Sequence, residues 1–143
     1  MRSFGSDTVR DEVILLARIL LVLLFLIFGW GKLMNYGGTV GYMTQTGVPV
    51  PAIAALVAIV MEVFVAIALI LGVLTRPLAV LLGLYTLATA IIGHHYWTMT
   101  GAAQYEAEIN FYKNVSIMGG FFLLYVTGAG KYSIDAIFGA RKL

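Results

Sequence analysis

The chain has 143 residues, of which 61% are hydrophobic and 11% charged, against roughly a quarter charged in ordinary soluble domains. That length suits one domain, and a water-soluble core this small cannot hide so much apolar surface, so lipid must solvate the outer face. The few positive charges behind the net +2 are too scattered for a phosphate-binding face, which excludes nucleic acid as a partner, and the lack of cysteine excludes disulfides, thiol relays and thiolate metal sites.

The first of four hydrophobic runs covers about residues 13–33, close to the roughly twenty residues that cross about 30 Å of hydrocarbon. It is too long for a signal-peptide core and lacks a small-residue cleavage site, so it reads as a retained anchor. Arg18, Phe25, Gly29 and Lys32 fall on one helical face. Trp30 lies near the end of the run, at the depth of an interfacial aromatic belt. The connection "NYGGTVGYMTQTGVPVP" is expected to hold one short interfacial helix, starting near Gly38–Thr39 and stopped by Gly47 and Pro49.

The second run covers about residues 52–74 and carries Glu62 near its midpoint, where a carboxylate is costly unless paired or protonated. Ala55, Ala58, Glu62 and Ala66 share a face, and small residues there let a neighbouring helix approach closely. Glu62 is therefore expected to point into the bundle. Two roles stay open for it: an ion pair that holds helices together, or a functional site. Arg18 lies about 7 Å along the axis from mid-membrane and Lys32 about 13 Å, at 1.5 Å per residue. Lys32 is expected to snorkel outward, which leaves Arg18–Glu62 as the expected structural ion pair.

Thr75–Arg76–Pro77 forms a tight turn into the third run, about residues 77–98, with proline suited to a first helical turn. "AIIGHHYW" closes that run. Neighbouring helical residues point about 100° apart, so His94 and His95 cannot share one metal as i, i+4 histidines do. Gly83, Ala90 and His94 fall on a common face, so His94 is the expected inward histidine. The alternatives are interfacial anchoring without chemistry, and a zinc site with Glu106 and Glu108; no metal is expected.

"TGAAQYEAEINF" reads as a polar loop, and the fourth run covers about residues 112–127. Lys113 and Asn114 open it. A cation sits poorly at a helix start, which suggests an acceptor or anionic ligand nearby, against snorkelling to headgroups. Gly119–Gly120 with Ser116 reads as a packing face. In the tail, Ser133 is placed to cap a short helix whose Ile134, Ile137 and Phe138 lie on the membrane surface.

Arg2, Arg10, Arg76, Lys131, Arg141 and Lys142 fall on one side of this arrangement, against Lys32 and Lys113 on the other. The excess puts both termini in the cytoplasm. The expected fold is an all-α, integral membrane four-helix bundle forming one domain over 1–143, with short interfacial helices at 34–51 and in the tail. Polar residues of three helices then converge toward the outer side.

The ordered series "GWGKL" (29–33), "GVP" (47–49), Glu62, "LGVLTR" (71–76), "HHYW" (94–97), "YKN" (112–114), "GG" (119–120) and "GAGKYSID" (128–135) resembles the DoxX family over about residues 14–135. The resemblance implies a small multi-pass protein of the bacterial inner membrane, often labelled an oxidoreductase through members linked to quinone-dependent oxidation of thiosulfate. Other members look like partners in membrane complexes that answer oxidative stress. Carried over by position, Lys32, Glu62, His94, Lys113 and Asn114 would face the pocket; no catalytic assignment transfers, and Glu62 and His94 are the candidates, while Trp30 and His95 are expected as further ligand-binding residues from their own placement. Three functions compete. One is a redox-linked subunit that binds a quinone-like molecule between its helices and works with a partner oxidoreductase. The others are a non-catalytic scaffold for a complex, and a small transporter, which would need to form a homo-oligomer.

Overall fold

The computed structural model describes residues 7–139, all of whose regular structure is helical. Arg2, Arg141 and Lys142, used above for orientation, lie outside the described residues. Helix α1 (Asp7–Met34) is long and apolar. Its buried residues Arg18, Val22, Phe25 and Gly29 recur at helical spacing, so one stripe faces the protein while Leu20, Ile27 and Phe28 remain exposed. Asn35 then caps α2 (Tyr36–Gln45) by accepting a hydrogen bond from the Gly38 amide, and α2 buries no residue.

The second long element is continuous over Pro51–Leu71 but not uniform. It consists of α3 (Pro51–Ile59), a π-helical segment (Val60–Val65) and α4 (Ala66–Leu71). It ends at Gly72, which takes the left-handed conformation that glycine adopts without steric cost. Helix α5 (Thr75–Gly93) follows after a short turn, and a 3₁₀ turn (Tyr96–Thr98) leads to α6 (Gly101–Thr127). The last helix, α7 (Ile134–Ile137), is capped by the Ser133 hydroxyl, which accepts from the Ala136 amide.

Among the described residues, three elements are long and apolar enough to cross a membrane: Val9–Met34, Pro51–Leu71 and Thr75–Thr98. Helix α6 runs 27 residues and carries Glu106, Glu108 and Lys113 in its first half. It lies antiparallel to α5, because Gly83 meets Phe121 and Thr89 meets Asn114. A Cβ added at Gly83 would stand 3.3 Å from the Phe121 Cβ, so the missing side chain sets how closely the two helices pack. The core between the elements is made by Val22 and Phe25 of α1, Val65 and Leu69, Leu82 of α5 and Phe121 of α6. The Phe25 and Phe121 rings meet edge to face at 5.7 Å.

Two expectations need correction. The stretch read as a polar loop before residue 112 is the first part of α6, which starts at Gly101. Alanine, glutamine and glutamate are strong helix formers, so polarity there marks the chemistry of one helix face and not a break in the helix. The third run stops being helical at Gly93. His94 and His95 therefore stand in the turn after α5, and the argument from 100° helical offsets does not apply to them.

Candidate functional site

The second span buries Ala55, Ala58, Glu62, Ala66 and Leu69 along one side. Glu62 falls inside the π-helical segment, a local widening that is rare and concentrated at functional sites. Glu62 faces α1, where Gly29 has no side chain to obstruct it. A Cβ at Gly29 would come within 2.5 Å of the Glu62 Cβ and 2.8 Å of its carbonyl carbon. The two backbones touch there, as small residues allow between membrane helices.

One turn beyond Gly29, the Lys32 ammonium donates to Glu62 Oε1 at 2.8 Å. From α5, the Tyr85 hydroxyl donates to Glu62 Oε2 at 2.7 Å. Each carboxylate oxygen thus has its own donor, supplied by a different helix. Lys32 keeps 28% of its side chain exposed against 10% for Glu62, so the group is reached from the lysine side. An ammonium carries three donor hydrogens, and two remain for a ligand oxygen. A phenol and a carboxylate in a short hydrogen bond are also suited to passing a proton.

Arg18 does not pair with Glu62. Its Nε donates to the Leu69 carbonyl at 3.0 Å and a terminal nitrogen to the Ile70 carbonyl. The other terminal nitrogen donates to Ala129 at 2.6 Å and to Tyr132 at 2.8 Å. Two of these carbonyls belong to the last turn of α4, where a helix presents the negative end of its dipole, and two to the segment between α6 and α7. The depth argument failed because it measured both helices from their midpoints. Contact at Gly29 brings Lys32 to the level of Glu62, so Lys32 pairs instead of snorkelling.

The remaining expected site residues divide. Asn114 of α6 donates to Thr89 Oγ1 of α5 at 3.2 Å. His94 caps α5, half-buried and within electrostatic reach of Lys113. Lys113 is exposed and donates to Asn110, one turn earlier, at 2.9 Å. His95 turns away to Thr98, its Nδ1 lying 2.6 Å from the hydroxyl. Trp30 is 55% exposed and stands outside the Glu62 group. Tyr96, Trp97, Phe111 and Tyr112 pack edge to face beside the histidines. Among the described residues no group of three acidic or histidine side chains is placed to hold a metal ion.

Tyr85 was missed in the sequence. The available signal was the cluster Tyr85, Thr86 and Thr89 within an apolar run. A tyrosine is inexpensive in a membrane helix, so it draws less notice than a carboxylate does.

The DoxX family profile matches residues 13–95. The chain is 54% identical over 135 residues to the inner membrane protein YphA of Escherichia coli (strain K12), covering 94% of this chain and 96% of that one. It is 39% identical to the inner membrane protein YqjF of the same organism, over 90% and 93% of the two chains. The ER-derived vesicles protein ERV29 of Saccharomyces cerevisiae is 26% identical over 91% of this chain but only 35% of its own length. No solved structure matches significantly.

Proposed function

The chain belongs to the DoxX family and is an inner-membrane protein, and from that premise we propose that it binds a quinone-like molecule at the Lys32–Glu62–Tyr85 group and acts with a partner oxidoreductase. The observation that carries this reading is the buried carboxylate with a separate donor on each oxygen, one of them a lysine still open to the bundle surface. A quinone carbonyl accepts a hydrogen bond from the free face of that ammonium, and its ring lies against apolar helix surface, the mix of few polar groups and much apolar lining typical of small-ligand sites. Quinone reduction takes up protons together with electrons. Tyr85 and Glu62 are placed to handle the protons; with no cysteine in the chain, the electrons come from the partner.

In this reading the start of α6 emerges on the outer side, about residues 112–127 cross as a fourth span, and both termini lie in the cytoplasm. The charge distribution supports that orientation, with Arg10, Arg76 and Lys131 at the end opposite Lys32 and Lys113.

The test is the quinone content of gently solubilised protein, read by mass spectrometry in wild type and Glu62→Gln. The substitution keeps shape while removing the charge that orients Lys32. A hydrogen bond to a charged group is worth about 1.5–3 kcal/mol, so quinone retention should fall roughly tenfold or more with the fold intact. Wild-type protein free of quinone, or equal retention in both, rejects the assignment in favour of a non-catalytic scaffold.

A further inference from the structure

We propose that Glu62 exchanges protons with the aqueous phase at the His94 end of the molecule alone, along a polar seam between α5 and α6. The inference rests on the proposed function in one respect, that Glu62 handles protons, and it adds the side from which they come.

The seam begins at Tyr85, bonded to Glu62 Oε2. Thr89 is one helical turn further along α5, about 6 Å on at 1.5 Å per residue, and its hydroxyl accepts from Asn114. Asn110 sits one turn outward from Asn114 and accepts from Lys113. His94, at the end of α5, is within electrostatic reach of that same lysine. Tyr85, Thr89, Asn110, Asn114 and His94 are all half-buried. Polar side chains spaced this way can anchor bridging waters, each of which needs two to four partners.

In the opposite direction no such seam exists among the described residues. Below Glu62 the interior is filled by Val22, Phe25, Val65, Leu69, Leu82 and Phe121. Beyond them stands Arg18, 1% exposed and held by four hydrogen bonds to backbone carbonyls. A fixed guanidinium in an apolar passage repels protons, as arginines do in pores that exclude them. The ionisable groups facing Glu62 are Lys32 from α1 and Tyr85 from α5, and its own span, Pro51–Leu71, carries no other. Helix α6 contributes the neutral Asn114, through Thr89.

A hydrophobic carbodiimide tests this. It reaches Glu62 through lipid from either face, and only a neutral carboxyl adds across its C=N bond, leaving a covalent mass tag. The full chain is reconstituted in liposomes with inner and outer pH set independently, and a cysteine replacing exposed Ala103 reports orientation through an impermeant maleimide. Acidifying the His94 side should raise tagging of Glu62, by about tenfold per pH unit while the carboxylate stays mostly ionised. Acidifying the Arg18 side should leave tagging unchanged, and Asn114→Leu should weaken the response to the His94 side, leaving only what enters past the partly exposed Lys32. Tagging that follows the Arg18 side, follows both sides equally, or is absent at every pH overturns the proposal, whether or not the leucine variant folds. Quinone content measured on the same liposomes keeps the two readings apart. Quinone retained with symmetric tagging rejects the route alone; sided tagging without quinone rejects the ligand alone.

Discussion

The two buried charges among the described residues, Arg18 and Glu62, are satisfied by opposite means. Arg18 is held by main-chain carbonyls, two at the end of α4 and two in the segment after α6, and its surroundings extend that pattern. The Asp135 carboxylate accepts from the amides of Leu74 and Thr75 at 2.8 and 2.9 Å, and Asp11 accepts from the Lys131 amide at 3.0 Å. Side chains there complete backbone hydrogen bonding. Glu62 is held by side chains, one of them partly exposed with hydrogens to spare. A charge locked by backbone closes a structure, whereas a charge locked by other side chains can be unlocked by a ligand or a proton.

That contrast gives its largest test at Arg18. Arg18→Leu removes a donor from four carbonyls, of which only that of Leu69 keeps a backbone partner, the Gly72 amide. Leaving a buried acceptor unsatisfied costs about 1–3 kcal/mol, so the variant should lose roughly 3 kcal/mol or more. Unfolding in mixed micelles titrated with denaturing detergent should show the loss, along with release of the segment after α6. If Arg18→Leu costs no more than Glu62→Gln, the arginine does not close that end and the comparison collapses.

Gly29 tests the other level. Gly29→Ala places a methyl 2.5 Å from the Glu62 Cβ, against backbone that has nowhere to go. Overpacking of this kind costs about 1–3 kcal/mol, and separating α1 from the second span should also break Lys32 from Glu62. Quinone retention should then fall as in Glu62→Gln, measured by the same mass spectrometry. Gly119→Ala is the control, since nothing lies within 4 Å of its added methyl. If both alanines behave alike, the close approach at Gly29 does not position the lysine.

The sequence made these levels unequally legible. Glu62 announced itself, since a lone carboxylate inside an apolar run has few explanations, and its alanine face fixed its direction. Its partner did not, because depth along a helix says nothing about how far neighbouring helices are shifted; that shift is set by contact at Gly29 and by a π-helical segment that no propensity marks. The role of Arg18 was hidden for a related reason. Its acceptors are backbone atoms, which every residue carries, from segments more than fifty and more than a hundred positions away. The motif "GAGKYSID" was visible as a string, but its purpose, bracing α1 and the turn before α5, belongs to tertiary contact alone.

The smallest expected effect sharpens the account of the Arg18 end. If side chains there serve to satisfy the backbone, one that satisfies nothing should be dispensable. Thr75 is 1% exposed and its Oγ1 has no hydrogen-bond partner, while its amide is taken by Asp135. A buried hydroxyl without a partner carries a desolvation penalty, and replacing it by an apolar group of the same shape is neutral or stabilising. Thr75→Val should therefore leave stability within about 0.5 kcal/mol of wild type or raise it. Thr86→Val should cost more in the same unfolding assay, because the Thr86 hydroxyl donates to the Leu82 carbonyl at 2.7 Å. The order of the two valines is the informative result: a Thr75→Val loss equal to or larger than that of Thr86→Val would mean that the Thr75 hydroxyl has a partner, and that this end is held by more than carboxylates and a guanidinium on backbone.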